Sequence, residues 1–491
     1  MIEPNILVLD EGTTSTRAIL FSPTGKPLGT AQRDITQHFP KPGWVEQDAG
    51  EIWDKTLQCT REAVDMAGGP GAIAAIGIAN QRETVVAWDK ATGEPLARAI
   101  VWQDRRTAAA CAAMRDKGLE PDIQRCTGLV LDPYFSGTKM AWLLEHETAV
   151  AAAAQTGTLA FGTVESWLIW KLTGGAHLSD ATNASRTLLL PLDSAQFDRG
   201  LCDAFGVPID SLPEVTDTVY AESFHTDADL FGTTIPLCAS VGDQQAATIG
   251  QGCLRRGETK ATYGTGAFVL ANQGTQMPQS DNRLLGTVLM QEEGVRTYAL
   301  EGSVFAAGSL VQWLRDGLGL FDDAAETETL TRSIPDNGGV VIVPGMAGLG
   351  APHWMPDARG VIAGLSFSTG KAQIARAALE AMAHQTYDLA NAFAADGVAL
   401  TGLKIDGGMA ANDWMAQDIA DLLGLDVERP DFVETTALGA AMLAAVGAGL
   451  HPDLATAAST MRGGVSTFHP AMNNEERAKR IEGWQRALLS V

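Results

Sequence analysis

Short apolar runs bounded by turn residues recur along the chain, and each of them predicts a buried β-strand. In the first half these runs cover residues 6–10, 16–21, 73–79 and 85–88, and in the second half 261–263, 267–270, 340–343 and 403–406. Stretches at 49–67, 371–393 and 436–450 predict helices. The last stretch is rich in Ala and Gly, so we expect it to be buried against a close neighbour. A further helix is predicted from Asn473, with Glu476 three residues on.

Two of the apolar hairpins enclose turns of glycine and hydroxyl residues, at 11–15 and 264–266. Glycine allows a ligand to approach the backbone closely, and backbone N–H groups in such turns hold phosphate oxygens. One hairpin opens each half of the chain. The pattern predicts an α/β protein of two duplicated actin-like (ribonuclease H-like) ATPase domains with a central cleft, covering residues 1–249 and 250–491. The alternative is that both are ordinary turns without a ligand.

Length, charge and cysteine usage narrow the class of protein. A chain of 491 residues is too long for a single ordinary core. Its net charge of −24 argues against a nucleic-acid partner, which requires clustered Lys and Arg. The six cysteines form no CxxC pair, which predicts a reducing cytoplasm. The start of the chain does not read as a signal peptide, and no apolar run is long enough to insert into a bilayer.

Several polar residues stand where strands end, the position that lines the ligand crevice of an open α/β sheet. Arg82 and Glu83 follow the run 73–79. Asp243 lies at a predicted strand-to-helix junction, where a carboxylate can accept the proton of a hydroxyl that receives a phosphoryl group. Its alternative role is to cap the following helix. Asp10 can hold Mg²⁺ directly or through water, or simply cap its turn.

Other motifs exclude competing enzyme classes. No GxxxxGK[ST] segment occurs, which argues against a P-loop kinase, and no protein-kinase or Ser-His-Asp signature is present. We do not expect a dehydrogenase, because no GxGxxG segment follows a predicted strand within a βαβ unit. The glycine turn at 406–408 can place backbone against a nucleotide, although βα turns often contain glycine without binding one.

The chain resembles the FGGY carbohydrate kinases almost from end to end. The motifs that carry the resemblance occur in order at residues 9–15, 41–46, 80–84, 101–106, 134–139, 242–245, 263–266, 348–352 and 406–408. The dipeptide Arg82-Glu83 favours the members that act on glycerol, since xylulose kinases are expected to carry Met-His there. The resemblance implies ATP-dependent phosphorylation of glycerol to sn-glycerol 3-phosphate, in glycerol uptake and catabolism, with Mg²⁺.

The resemblance also implies roles for individual residues. Asp243 is expected to be the base. The other expected substrate contacts are Arg82, Glu83, Trp102, Tyr134, Gln244 and Phe268. The nucleotide is expected to contact Thr13, Thr14, Ser15 and Arg17 from one domain and Thr265, Gly308, Gln312, Gly408 and Asn412 from the other. Asp10 is expected to support Mg²⁺.

Three positions depart from the family pattern. Glu11 stands where several members have Gln, and its carboxylate either alters metal binding or points away. The segment 231–236 resembles a loop at which some bacterial members bind fructose 1,6-bisphosphate, but Thr234 replaces the expected arginine. Asp229 stands where other members carry a phosphorylated histidine, and His225 is offset from that position. We therefore expect neither form of control.

Two alternatives stay open at this point. The protein can be a kinase for another polyol or a ketose, or a non-catalytic actin-like nucleotide switch that binds a protein partner. The family also leads us to expect a homodimer or homotetramer. A substrate panel distinguishes glycerol from another polyol or ketose as the substrate. Loss of turnover on replacing Asp243 by Asn distinguishes a kinase from a nucleotide switch.

Overall fold

The computed structural model describes residues 4–346, 348–355, 358–432 and 434–491, with backbone alone at 221–223. The strands of its first half are β1 (Asn5–Glu11), β2 (Ser15–Phe21), β3 (Pro27–Asp34), β4 (Glu46–Gln47), β5 (Ile73–Asn80), β6 (Val86–Asp89), β7 (Ala99–Ile100), β8 (Leu159–Gly162), β9 (Leu178–Asp180), β10 (Glu214–Thr216), β11 (Val219–His225) and β12 (Pro236–Gly242). The helices of this half are α1 (Ala49–Met66), α2 (Ala108–Asp116), α3 (Glu120–Thr127), α4 (Ser136–His146), α5 (Thr148–Thr156), α6 (Val164–Thr173), α7 (Ala181–Ala184), α8 (Arg199–Phe205), α9 (Ala228–Phe231) and α10 (Asp243–Gly250).

The second half contains a comparable set of elements. Its strands are β13 (Thr259–Tyr263), β14 (Ala267–Gly274), β15 (Leu285–Glu292), β16 (Val295–Val304), β17 (Val341–Val343), β18 (Val361–Ala363), β19 (Leu403–Asp406), β20 (Val427–Pro430) and β21 (Val465–Phe468). Its helices are α11 (Gly308–Gln312), α12 (Glu326–Arg332), α13 (Lys371–Ala395), α14 (Asp413–Leu423), α15 (Thr435–Gly447), α16 (Leu454–Met461) and α17 (Asn474–Leu488). The predicted runs recur here with ends that differ by a few residues.

Two mixed sheets carry the fold, and they share one topology. The first has the order β11-β12-β5-β1-β2-β3, in which β1 to β3 form an antiparallel meander and β5 and β12 run parallel to β1. The second has the order β15-β16-β14-β13-β19-β20-β21, with β13, β14 and β16 as the meander and β19 and β20 parallel to β13. This repetition confirms the predicted α/β fold of two similar units.

Helices α10 and α15 interlock where the two halves meet. A Cβ atom on Gly439 would lie 1.8 Å from the carbonyl oxygen of Ala246, and one on Gly250 would lie 2.0 Å from that of Thr435. Only glycine at these two positions allows the backbones to approach so closely. Helix α15 also packs on the apolar face of the first sheet, so a helix of the second half completes the core of the first. This packing fixes α10, which begins at Asp243, relative to both sheets.

Within the described ranges, no helix combines the length and the apolar character that a bilayer span requires.

Candidate active site

The polar centre of the molecule forms where β5 and β12 end side by side. The side chain of Arg82, just beyond β5, is almost fully buried, and its Nε lies 3.3 Å from Oδ1 of Asp243. Glu83 adopts a left-handed backbone conformation with φ of 61°. A non-glycine residue is held in that region only when its surroundings compensate the cost, which is typical of functional sites. Parallel pairing of β5 and β12 therefore brings the three sequence-predicted residues together.

Asp243 is oriented toward Arg82 and does not cap its helix. The cap position of α10 is Gly242, and the Asp243 carboxylate accepts the N–H of Gln244 at 2.7 Å. Its side chain is 33% exposed, so it is accessible from the cleft. Burial raises the pKa of Asp243 above its ordinary value of 3.8, although Arg82 and Lys260 act in the opposite direction. A partly exposed carboxylate with a raised pKa is suited to accept a proton.

A buried charge network surrounds Arg82 and reaches into the second half of the chain. Glu301, on β16, accepts hydrogen bonds from Arg82 Nη1 at 2.6 Å and from Arg186 Nη2 at 3.0 Å. Arg186 Nε also donates to Glu83 Oε1 at 2.6 Å. Burial alone would raise the pKa of Glu301, but the guanidinium groups of Arg186 and Arg82 lower it to about 2. The network thus links Arg82 directly, and Glu83 through Arg186, to a carboxylate from the second half of the chain.

The sequence predictions missed Arg186 and Glu301. Glu301 is one of two charged residues in strand β16, with Arg296, and a glutamate side chain is almost never buried without a partner. That signal was available, but it does not identify the partner. Lys260 was missed as well: its buried ammonium donates to Oε1 of the predicted contact Gln244 at 2.6 Å.

Three aromatic rings form one wall of the site. The ring of Trp102 lies 5.7 Å from that of Tyr134 and 6.3 Å from that of Phe268, measured between centroids and in edge-to-face orientation. Phe268 belongs to β14 of the second sheet, so the wall has members from both halves. Tyr134 accepts a hydrogen bond from Arg82 Nη2 at 3.3 Å. Trp102 Nε1 donates to Thr13 Oγ1 at 2.9 Å, which joins this wall to the first glycine-threonine turn.

The first turn follows β1 directly and lies beside the polar centre. Gly12 N donates to Ser15 O at 2.9 Å, which closes the turn and leaves Thr14 exposed. Arg17 on the returning strand forms ion pairs with Asp10 and, at 2.6 Å, with Glu434. Its guanidinium is thus held at the edge of the turn by two carboxylates, one from each half of the chain.

The second turn is packed against the segment that carries Gly308. Gly308 N donates to Gly264 O at 2.8 Å, and a Cβ atom at Gly308 would lie 2.6 Å from that oxygen. Thr265 is exposed at the tip, and Gln312 is exposed at the end of α11. The chemistry of this surface is main-chain amides and small residues, which suits close approach of a nucleotide.

Gly408 and Asn412 lie on the neighbouring βα turn. A Cβ atom at Gly408 would meet nothing within 4 Å, so its backbone faces open space. Asn412 caps α14, because its Oδ1 accepts Met415 N at 2.9 Å. Its Nδ2 reaches Thr327 Oγ1 only at 3.4 Å. Asn412 therefore has a structural role whether or not it also touches a ligand.

Comparison with known proteins identifies the family. Residues 5–250 match the model of the N-terminal domain of the FGGY family of carbohydrate kinases, and residues 259–448 match that of its C-terminal domain. The chain belongs to the FGGY family of carbohydrate kinases. Its relatives include the glycerol kinase of Rhodospirillum centenum, 52% identical over 99% of this chain and 97% of that protein. The glycerol kinase of Alcanivorax borkumensis is 50% identical over 99% and 98%.

Solved structures agree with this assignment. The crystal structure of Plasmodium falciparum glycerol kinase with ADP superimposes with a TM-score of 0.94 at 34% identity, covering 99% of this chain and 98% of that one. A xylulose kinase from Rhodospirillum rubrum gives a TM-score of 0.86 at 24% identity, over 99% and 98% of the two chains, which shows the shared fold.

Asp10 is the candidate metal contact of this FGGY kinase. No cluster of three or more His, Cys, Asp or Glu side chains suited to a metal occurs in the described part of the chain. Mg²⁺ in kinases is typically held by one or two carboxylates together with substrate phosphates and water. A single carboxylate beside a turn that is predicted to bind phosphate fits that requirement. Burial raises the pKa of Asp10, and its ion pair with Arg17 acts against the shift.

Glu11, the first departure from the family pattern, points into the core. Thr56 Oγ1 on α1 donates to Glu11 Oε2 at 2.9 Å, and Glu11 Oε1 has no partner among the described residues. Burial raises the pKa of Glu11 to about 8. Successive residues of a strand face opposite sides of the sheet, so Asp10 and Glu11 diverge. The carboxylate of Glu11 is therefore not part of the candidate metal site.

The other departures lie at the surface, in the loop around α9. Thr234, Asp229 and His225 are all exposed. Asp229 N donates to the side chain of Asp227, which caps α9. The side chain at position 234 is an uncharged threonine instead of an arginine. The expectation of weak bisphosphate binding stays a prediction.

Proposed function

We propose that the protein transfers the γ-phosphoryl group of ATP to glycerol and forms sn-glycerol 3-phosphate. The observation that carries the proposal is the cleft-facing carboxylate of Asp243, 3.3 Å from the buried guanidinium of Arg82 and adjacent to an aromatic wall. The names of the relatives, at about half identity over the whole chain, supply the substrate. Glycerol uptake and catabolism is the metabolic setting that we propose.

In the proposed mechanism Asp243 accepts the proton of the terminal hydroxyl as its oxygen attacks phosphorus. Arg82, Glu83 and Tyr134 hydrogen-bond the hydroxyl groups, with Gln244 beside them. The rings of Trp102 and Phe268 cover the carbon backbone and exclude water from it. General-base catalysis of this kind typically increases the reaction rate by about 10²- to 10⁴-fold. A polyol that lacks one hydroxyl would leave buried polar groups unpaired, which is the source of selectivity.

The nucleotide is proposed to lie between the two turns. The proposed contacts are Thr13, Thr14, Ser15 and Arg17 on one side and Thr265, Gly308, Gln312, Gly408 and Asn412 on the other. Asp10 would hold Mg²⁺, which neutralises phosphate charge when bound. We assign these two sides to domains at residues 1–249 and 250–491.

The test is a coupled ADP-release assay with Mg-ATP and a panel of glycerol, erythritol, xylulose, ribulose and dihydroxyacetone. We expect strong turnover with glycerol and glycerol 3-phosphate as product. Asp243→Asn should lower turnover about 10²-fold or more, while calorimetry shows unchanged ATP binding. Asp229→Asn, an exposed carboxylate, is the control. Full turnover in Asp243→Asn would refute the base assignment.

Two further outcomes favour the alternatives. Activity on a larger polyol or ketose without glycerol turnover would keep the fold and overturn the substrate. Tight ATP binding without turnover across the panel would favour a nucleotide switch.

A cytoplasmic location and a homodimer or homotetramer are also proposed, to be tested by cell fractionation and by light scattering.

A further inference from the structure

A buried lysine without a carboxylate partner lies beneath the substrate contacts. Lys139 on α4 is fully buried, and its Nζ donates to the carbonyl oxygens of Tyr134, of Phe135 at 3.3 Å and of Glu83 at 3.5 Å. Among the described residues, these three carbonyls are its only hydrogen-bond partners. An ammonium has three donors and no acceptor, so the three carbonyls match its capacity.

These carbonyls belong to the two segments that supply the proposed glycerol contacts. Glu83 follows β5, whereas Tyr134 and Phe135 precede α4. Ser136 Oγ donates to the Glu83 carbonyl as well, at 3.1 Å. The same residue, Glu83, has the left-handed φ of 61°. Two donors from the start of α4 thus hold the peptide whose conformation needs support.

Burial of a charge without a counter-ion is costly, and an apolar side chain of similar length would fill the same space at lower cost. Burial lowers the pKa of Lys139 to about 8. The groups that oppose this shift are Glu83, Asp104, Asp132 and Cys111. Asp104 and Asp132 are themselves paired with Arg106 and Arg105, so neither serves as a dedicated counter-ion. The ammonium supplies three hydrogen bonds that an apolar side chain at this position would leave unmade.

We propose that Lys139 is a positioning residue, which fixes the segments of Glu83 and Tyr134 relative to each other and thereby sets the affinity for the polyol. The inference rests on the proposed function for the identity of the ligand. It predicts that Lys139 acts on polyol binding and leaves the nucleotide contacts, which lie on other turns, unaffected.

Three variants test the proposal by steady-state kinetics. Lys139→Met removes all three donors, Lys139→Arg keeps a cation, and Lys117→Met, an exposed lysine at the end of α2, is the matched control. We expect Lys139→Met to raise the KM for glycerol about tenfold or more, equivalent to about 1.4 kcal/mol, with ATP affinity by calorimetry unchanged. Lys139→Arg should recover part of the loss. Equal losses in polyol and ATP affinity would indicate general destabilisation and overturn the proposal.

The pH profile provides a second readout. Lys139 is protonated below its pKa of about 8 and loses its charge above it, so the KM of the wild-type protein should rise from pH 7 to pH 9. Cys111 stays a neutral thiol in this range because burial raises its pKa to about 11. Lys139→Met should lack the rise. A rise of equal size in Lys139→Met would overturn the proposal.

Amide hydrogen exchange keeps this test separate from the proposed function. Residues 82–84 and 131–136 should exchange faster in Lys139→Met than in Lys117→Met, whichever substrate the protein uses. Absence of glycerol turnover in the wild-type protein would refute the proposed function but would leave this comparison intact. Unchanged exchange in both segments would refute the positioning role.

Discussion

Replacing Glu11 by Gln should change how the stability of the protein depends on pH. Glu11 is fully buried between β1 and α1, one of its oxygens has no partner among the described residues, and burial raises its pKa from 4.5 to about 8. In the folded protein the carboxyl is therefore protonated at neutral pH, whereas in the unfolded chain it is ionised. Gln has nearly the same shape and does not titrate.

The magnitude follows from the two pKa values. At about 1.4 kcal/mol per pH unit, the shift corresponds to about 5 kcal/mol. Between pH 4.5 and about 8 the folded state binds a proton that the unfolded chain has released. Unfolding therefore releases a proton in this interval, and rising pH favours the unfolded state. The free energy of unfolding of Glu11→Gln, relative to wild type, should increase by up to about 5 kcal/mol across it.

The assay is urea unfolding followed by tryptophan fluorescence at pH 5, 7 and 9. The control is Asp54→Asn, an exposed carboxylate on the same helix α1. We expect the midpoint of Glu11→Gln to rise relative to wild type with increasing pH, and that of Asp54→Asn to follow wild type. Turnover of Glu11→Gln should be retained, since the side chain faces away from the turn. A constant difference between the midpoints at all three pH values would refute the argument.

Three further predictions concern the site. Glu301→Gln leaves two buried guanidinium groups without their shared carboxylate, so the free energy of unfolding should fall by about 3 to 5 kcal/mol. Thermal unfolding should show this loss for Glu301→Gln but not for the exposed control Glu293→Gln. Equal unfolding midpoints for the two variants would contradict the network. Phe268→Ala should raise the KM for glycerol about fivefold through loss of an aromatic contact of about 1 kcal/mol, with kcat nearly constant in the same assay; an unchanged KM would remove Phe268 from the proposed wall. Asp10→Asn should raise the Mg²⁺ concentration needed for half-maximal turnover without weakening glycerol binding; an unshifted Mg²⁺ titration would exclude Asp10 as the contact.

Many features of the protein could be predicted because their signals are local in sequence. Apolar runs, the two glycine-threonine turns and the polar residues at strand ends predicted duplicated α/β units with a cleft. Local rules placed Arg82 and Asp243 at strand ends, but only the tertiary structure showed that their strands β5 and β12 are neighbours in the sheet. The choice between a base and a helix cap did not follow, because both put Asp243 at the start of α10.

Interactions between distant segments needed the tertiary structure. Glu301 lies 219 residues from Arg82 and 115 from Arg186, and no local pattern specifies which buried charges will pair. Strand alternation alone determines that Asp10 and Glu11 face opposite sides of β1. Both sides are buried, but Asp10 is paired with Arg17, whereas Glu11 faces α1 without an ion pair, so that burial makes its neutral carboxyl the more stable form. The sequence by itself thus determined the elements and the candidate chemistry, whereas the packing of distant segments decided the charge partners and protonation states.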